Sequence, residues 1–309
     1  MSQEITEAFV NQYRAEVFHL SQQKGSVLQD AVRRETQRGE EAYYDRMGAV
    51  SAVKKTSRHS DTPQIDTPHS RRRVVLEDYE WADLIDKEDL RRMLQDPAGD
   101  YAMAAMWAMG RSKDDVIIEA ADGIAYAGQK GGTTVAHPNS KKYAFNTGSA
   151  FSAPNVKGLR AIQRIIDEGE VDLSIPRHAV MNARGKEGLL GETEITSSDF
   201  NTVKALVQGE VNQYMKFNFH YTERLLTQVD ALSASNSTGA VGSGTSIVGQ
   251  RKNLFFAQDG LLLATSQDVQ AEIERRADKS YSTQVYVSMG IGATRMEEAK
   301  VVVGYSLES

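Results

Sequence analysis

"SRHSDTPQIDTPHSRRRVVLEDYEW", residues 57–81, is the stretch on which the reading of this 309-residue chain turns. Its first part holds two of the six histidines, two aspartates and two Thr-Pro steps. His59-x-Asp61 and Asp66-x-x-His69 have the spacing of metal ligands. The second part is extended: Val75, Glu77, Tyr79 and Trp81 fall on one face, Val74, Leu76 and Asp78 on the other. Neither face is clearly apolar, so the segment suits a surface better than a core. Residues 43–56 supply a matching arm and 71–81 the return arm, with Pro63 and Pro68 marking the turn. The sequence therefore predicts a long hairpin with a polar tip.

A tip is a poor place for a metal enzyme. Hydrolytic zinc sites draw three or more ligands from rigid elements. Here His59, Asp61, Asp66 and His69 sit among Thr-Pro steps, where Asp and Thr side chains hydrogen-bond locally. Arg71, Arg72 and Arg73 close the tip, and the acidic run Asp83, Asp86, Glu88 and Asp89 follows. Blocks of both signs suit charge-matched contacts between identical subunits. On that reading the three arginines face carboxylates of a neighbouring chain.

The remaining chemistry is sparse. No cysteine is present, which excludes a disulfide framework and thiolate chemistry. There is no G-x-x-x-x-G-K-[ST] phosphate loop, no G-x-S-x-G elbow and no H-E-x-x-H. Gly290-x-Gly292 lacks the third glycine of a dinucleotide loop and reads as a bend between the two C-terminal strands. A net charge of −6 argues against a DNA-binding face. No stretch has the ~18 uninterrupted apolar residues of a membrane span, and the N-terminus lacks the pattern of a signal peptide. No cofactor and no catalytic residue are expected.

Periodicity predicts an α+β body. Residues 4–20 form an amphipathic helix whose stripe includes Phe9, Tyr13, Val17 and Leu20, packed on another element or another subunit. Asp86 and Asp96 read as helix N-caps. A long helix or helix pair runs from Pro97 to about Ala125, its stripe made by Met103, Met106, Trp107, Gly110, Val116, Ile117 and Ala120. Residues 128–155 read as loop, 155–169 as a helix ended by Gly169, and 177–183 as a strand. Ser197 or Ser198 caps a helix carrying Phe200, Val203, Leu206 and Val207. Met215, Phe217, Phe219 and Tyr221 alternate as a half-buried strand. Residues 231–250 read as a flexible loop, "NLFFAQDGLLLAT" as strand, turn, strand, and "SQDVQAEIERRADK" as a helical turn or two. Two strands close the chain, the first with Val285, Val287, Met289 and Ile291, the second with Val301, Val303 and Tyr305.

The stretches "SRHSDTPQIDTPHSRRRVVLEDYEWADLIDKEDLRRML", "AMGRSKDDVIIEAADGIAYAG" and "TRMEEAKVVVGYS" resemble major capsid proteins of tailed bacteriophages with the Hong Kong 97-type fold. The resemblance implies an N-terminal arm over 1–40 and an extended hairpin (E-loop) over 41–82. It implies a peripheral domain with a long spine helix over 83–150 and 255–309, and an axial domain over 151–254. It implies pentamers and hexamers that build an icosahedral head around double-stranded DNA, with portal, scaffolding and cement proteins as partners. The virion is the implied location, after assembly in the host cytoplasm. Contacts between subunits are then expected from Phe9, Tyr13, Lys54, Lys55, His59, Asp61, Asp66, His69, Arg71, Arg72 and Arg73. Some members of the fold join a hairpin lysine to a peripheral-domain asparagine. Lys54 and Lys55 supply candidate lysines, but no asparagine follows Asn253, so non-covalent stabilisation is expected. The alternatives are an encapsulin-like nanocompartment shell and a metal enzyme built on 57–73.

Overall fold

A computed structural model describes residues 21–58, 61–62, 64–86, 98–147, 150–192, 212–229, 232–234, 238–242 and 245–307. The predicted helices over 4–20 and after Ser197 lie outside these residues, as do Asp96 and Pro97. The chain forms two compact units. The smaller gathers described residues of 1–25 with 78–111 and 268–289; the larger gathers 26–77, 112–267 and those of 290–309.

In chain order the first strands are β1 (Arg33–Thr36), β2 (Glu41–Met47), β3 (His69–Val75) and β4 (Glu77–Ile85), followed by helix α1 (Ala98–Asp122). Then come β5 (Ala125–Ala127), β6 (Thr133–Val135), β7 (Lys142–Ala144), β8 (Asn146–Thr147), β9 (Ala150–Phe151) and α2 (Val156–Asp167). The next elements are β10 (Arg177–Met181), α3 (Ala183–Leu190), β11 (Gln213–Tyr214), β12 (Phe217–Tyr221), β13 (Ser233–Ala234) and β14 (Thr245–Ser246). The last are β15 (Arg251–Ala257), β16 (Leu261–Arg276), β17 (Ser282–Arg295) and β18 (Val301–Ser306).

The larger unit is organised by a six-stranded sheet in the order β11-β12-β10-β15-β18-β7. All five residues of β10 are buried, as a strand with neighbours on both edges and cover on its faces requires. It runs parallel to β12 and antiparallel to β15. Helix α2 lies against β18 and β7. Its face is Val156, Leu159, Ile162 and Ile166, all buried, at helical spacing. Each such side chain contributes about 1.5–3 kcal/mol through burial. The Asn155 side chain caps α2 by accepting from the Gly158 amide at 2.7 Å. Phe145, Phe217, Phe219 and Phe255 complete this core. A second sheet of the unit, in the order β2-β3-β5-β6, carries the hairpin.

The third large sheet has the order β1-β16-β17-β4. In the smaller unit its strands bury Ile85 and Val285 beside Trp81, Tyr101 and Ala102.

Several expectations change. "SQDVQAEIERRADK" is not helical: β16 continues to Arg276. Local helix propensity yields there to pairing with β17, and Val269, Ala271 and Ile273 carry the period-2 signal. The stripe of α1 is phased differently. Ala105, Met109, Lys113, Asp114, Ile117, Ile118 and Ala121 are buried, whereas Met103 and Met106 are 44% and 48% exposed. Two charged residues in the middle of the inward face disguised it. Residues 128–155 are not simple loop, since they supply β6 to β9. Buried Ala234 and Ile247, in and beside the β13–β14 pair, anchor the segment read as flexible. Met215 and Lys216 form the turn between β11 and β12, with positive φ, so that strand starts at Phe217.

The return arm of the hairpin also splits. β3 pairs with β2, while β4 joins the sheet of β17, and Leu76 separates them. Gly290 and Gly292 lie inside β17, not at a bend. A Cβ on Gly292 would stand 2.1 Å from the Val75 carbonyl oxygen, so only glycine permits that approach. Gly292→Ala is expected to lower unfolding free energy by about 1–3 kcal/mol, the usual cost of forcing atoms into a packed site. Chemical denaturation of the purified chain checks this; an unchanged midpoint refutes it.

Candidate functional site

The hairpin is the candidate site. β2 and β3 pair antiparallel from Glu41↔Val75 to Met47↔His69, and the Gly48 amide donates to the Pro68 carbonyl at 2.8 Å. Beyond that bond no described residue of 49–67 belongs to a strand or helix. Lys54, Lys55, Asp61, Asp66 and His69 are all exposed. Met47, Val50 and Val53 are 70%, 58% and 60% exposed, an apolar set that the larger unit leaves uncovered. Among the described residues no three His, Asp or Glu side chains converge as metal ligands. His59, like Phe9 and Tyr13, lies outside the described residues.

The three arginines behave differently from one another. Arg71 is a surface residue whose Nε donates to Asp45 Oδ1 at 2.6 Å. That bond holds the Asp45 carboxyl below its ordinary range. Arg73 pairs with Glu41. Arg72 is 1% exposed and pairs with Glu298, and its Nε donates to the Met296 carbonyl at 3.4 Å. Burial pulls the pKa of Arg72 below its ordinary value, and nearby Arg46 adds to the shift. Each of the three thus has a carboxylate partner within this chain.

Arg46, Arg295 and Glu298 complete the root of the hairpin and were not singled out in the sequence. Arg46 Nη1 donates to the Met296 carbonyl and lies 3.9 Å from Glu298. Fully buried Arg295 donates to the carbonyls of Ala121 at 3.0 Å, Gly123 at 2.9 Å and Val135 at 3.2 Å, and its Nε lies 3.8 Å from Glu298. The signal available was "TRMEEAK", which places Arg295 and Glu298 three residues apart.

The model of the family described as phage capsid protein matches residues 5–308. The chain belongs to the phage capsid protein family. The capsid chain is similar in structure to that of cyanophage P-SCSP1u, with a TM-score of 0.71 at 14% identity, covering 99% of this chain and 95% of that one. The cyanophage Pam1 capsid gives 0.67 at 14% identity, covering 97% of each chain. Mycobacterium phage Che8 gives 0.65 at 13%, covering 96% and 97%. These likenesses establish the Hong Kong 97-type fold for this mixed α/β chain. A search of curated proteins finds no significant match. Among the described residues no helix of the capsid chain is long and apolar enough to cross a membrane.

One titratable pair lies away from the hairpin. His178 Nδ1 and His220 Nε2 are 3.0 Å apart across the β10–β12 pairing. Burial lowers the His178 pKa to about 4, with the neighbouring His220 adding to the effect; burial also lowers that of His220, while Asp114 opposes it. A histidine depressed in the folded state is protonated first in the unfolded chain. The contribution of this pair to stability is therefore expected to be lost as pH drops from about 6.5 towards 4. His178→Asn is expected to flatten that slope in denaturation curves taken across the interval.

Substitution at the arginines separates root from surface. Arg72→Met is expected to cost about 1–3 kcal/mol, because the Met296 carbonyl and the Glu298 carboxylate each lose a hydrogen bond. Arg71→Gln is expected to leave the unfolding midpoint unchanged. Equal midpoints for the two variants in urea would refute the distinction.

Proposed function

We propose that this capsid-family chain is the major head subunit of a tailed phage, assembling as pentamers and hexamers into an icosahedral shell around double-stranded DNA. The family match over 5–308 is the observation that carries the reading. The hairpin gives it a physical basis. A segment with charged and apolar groups exposed, and no cover within its own unit, gains stability when a second copy covers it. Residues 1–40 act as the arm, the hairpin crosses an adjacent subunit, and Lys54, Lys55, His59, Asp61, Asp66 and His69 make contacts there. α1 serves as the spine of the peripheral domain. The expected axial segment, 151–254, supplies β10, β12 and both short helices to the six-stranded sheet; the boundary at 255 falls inside β15.

Portal, scaffolding and cement proteins are the partners of this reading, and assembly takes place in the host cytoplasm before the chain becomes part of the virion. The charge of −6 suits a container through which DNA must slide during packaging, because cationic surfaces bind phosphates tightly at low salt. The shell holds by non-covalent contacts. Asn253, beyond which the sequence has no other asparagine, is fully buried, and its side chain donates to Gly304 O at 3.2 Å and Ser306 Oγ at 2.7 Å. That position leaves it inaccessible to a lysine from another chain.

The test is assembly. The chain, expressed with the other head proteins of its genome, is expected to give closed shells by velocity sedimentation and negative-stain microscopy. Replacing residues 51–66 by a short Gly-Ser turn is expected to leave a folded subunit that no longer closes shells. Shells from the shortened chain would refute the hairpin's role. Denatured particles are expected to run as single chains, and a ladder of covalent multimers would refute the non-covalent reading.

A further inference from the structure

The root of the hairpin carries more buried positive charge than it neutralises. Arg46, Arg72 and Arg295 gather around one carboxylate, Glu298. Three cations and one anion leave an excess of two positive charges. The negative end of α1 offsets part of it, since Arg295 donates to Ala121 O and Gly123 O, and a helix C-terminus carries about half a charge. Asp122 also acts on Arg295, but its oxygens already hold Lys252 at 2.7 Å and Lys142 at 3.1 Å. His137, 3.5 Å from Asp122, is kept neutral by burial. Within this cluster three guanidinium nitrogens have no hydrogen-bond partner: Arg46 Nε, Arg72 Nη1 and Arg295 Nε. An unpartnered donor on a side chain as buried as Arg72 is costly, and more so when it is charged. Arg46 and Glu298 are each 24% exposed in their side chains, so the cluster reaches solvent at its edge.

We propose that the hairpin root is an oxyanion site, in which Arg46, Arg72 and Arg295 hold a carboxylate or phosphate group beside Glu298. Guanidinium forks bind both groups with paired, charge-assisted hydrogen bonds. The mutual repulsion of Arg46 with Arg72 and of Arg72 with Arg295, which contributes to the lowered pKa values of Arg72 and Arg295, is relieved by such a ligand. The oxyanion comes either from solution or from an acidic side chain of a second copy. In the second case, assembly and the setting of the hairpin are coupled through this one point.

The test is thermal unfolding of the full, unassembled chain in inorganic phosphate against chloride at matched ionic strength. Phosphate is expected to raise the midpoint saturably, by about 2 °C at ten times its dissociation constant. Glu298→Gln removes the competing carboxylate and is expected to enlarge the shift. Arg46→Gln, at the exposed edge, is expected to reduce it by half or more. If Glu298→Gln does not fold, wild type against Arg46→Gln decides alone. No difference between phosphate and chloride, or an equal shift in every variant, overturns the proposal. Shell yield in the two salts then identifies the source. Inhibition by phosphate means competition with a carboxylate of a second copy, and unchanged yield means an oxyanion from solution; each is consistent with the site.

Discussion

Glu298 holds the hairpin to the body. β2 and β3 extend into a tip that has no core of its own, so their placement rests on what grips the root. There Arg72 from β3, Arg46 from β2 and Arg295 from β17 meet the same carboxylate, while the Met296 carbonyl accepts from both hairpin arginines. Arg295 ties the point onward to the last turn of α1 and to β6. A small apolar cluster, Val74 with Leu262, Ala264 and Met296, lies alongside. Ion pairs of this kind add little net stability against well-packed apolar substitutes, but they are directional. For a segment that must emerge at a defined angle, direction matters more than energy.

The same economy appears at Gly292. β17 approaches the hairpin so closely at Val75 that no side chain fits between them. Backbone contact on one side and guanidinium contact on the other leave the root little freedom, while the tip beyond Gly48 carries no ladder hydrogen bonds among the described residues.

Much of the fold was legible where one physical signal dominated. α2 declared itself through apolar spacing and a glycine after its last turn. β10, β15 and β18 are buried runs bounded by turn residues. Legibility failed where signals conflicted. In β16 the composition favours helix and only the alternation of Val269, Ala271 and Ile273 speaks for strand. In α1 the inward face carries Lys113 and Asp114, and Asp114 is buried because its carboxylate accepts from the amides of Val27 at 3.0 Å and Leu28 at 3.1 Å. Such a satisfied buried charge cannot be told from a solvated one in sequence. α3, short and glycine-bearing, gave too little periodicity to be seen.

The arginine triplet shows the limit of reading charge along a chain. Alternation in an extended strand sends Arg71 and Arg73 one way and Arg72 the other. Period-2 geometry thus contained the distinction, but the identity of the buried face did not follow, because Glu298 lies 226 residues away. Reading the block as one patch assigned all three to a neighbouring subunit. The middle arginine instead belongs to the chain's own architecture, buried against Glu298, while the lysines and aspartates of the tip stay exposed. A hairpin built this way separates two kinds of charge in one sequence: those that fix its direction are buried at the root, and those beyond Gly48 are left to solvent.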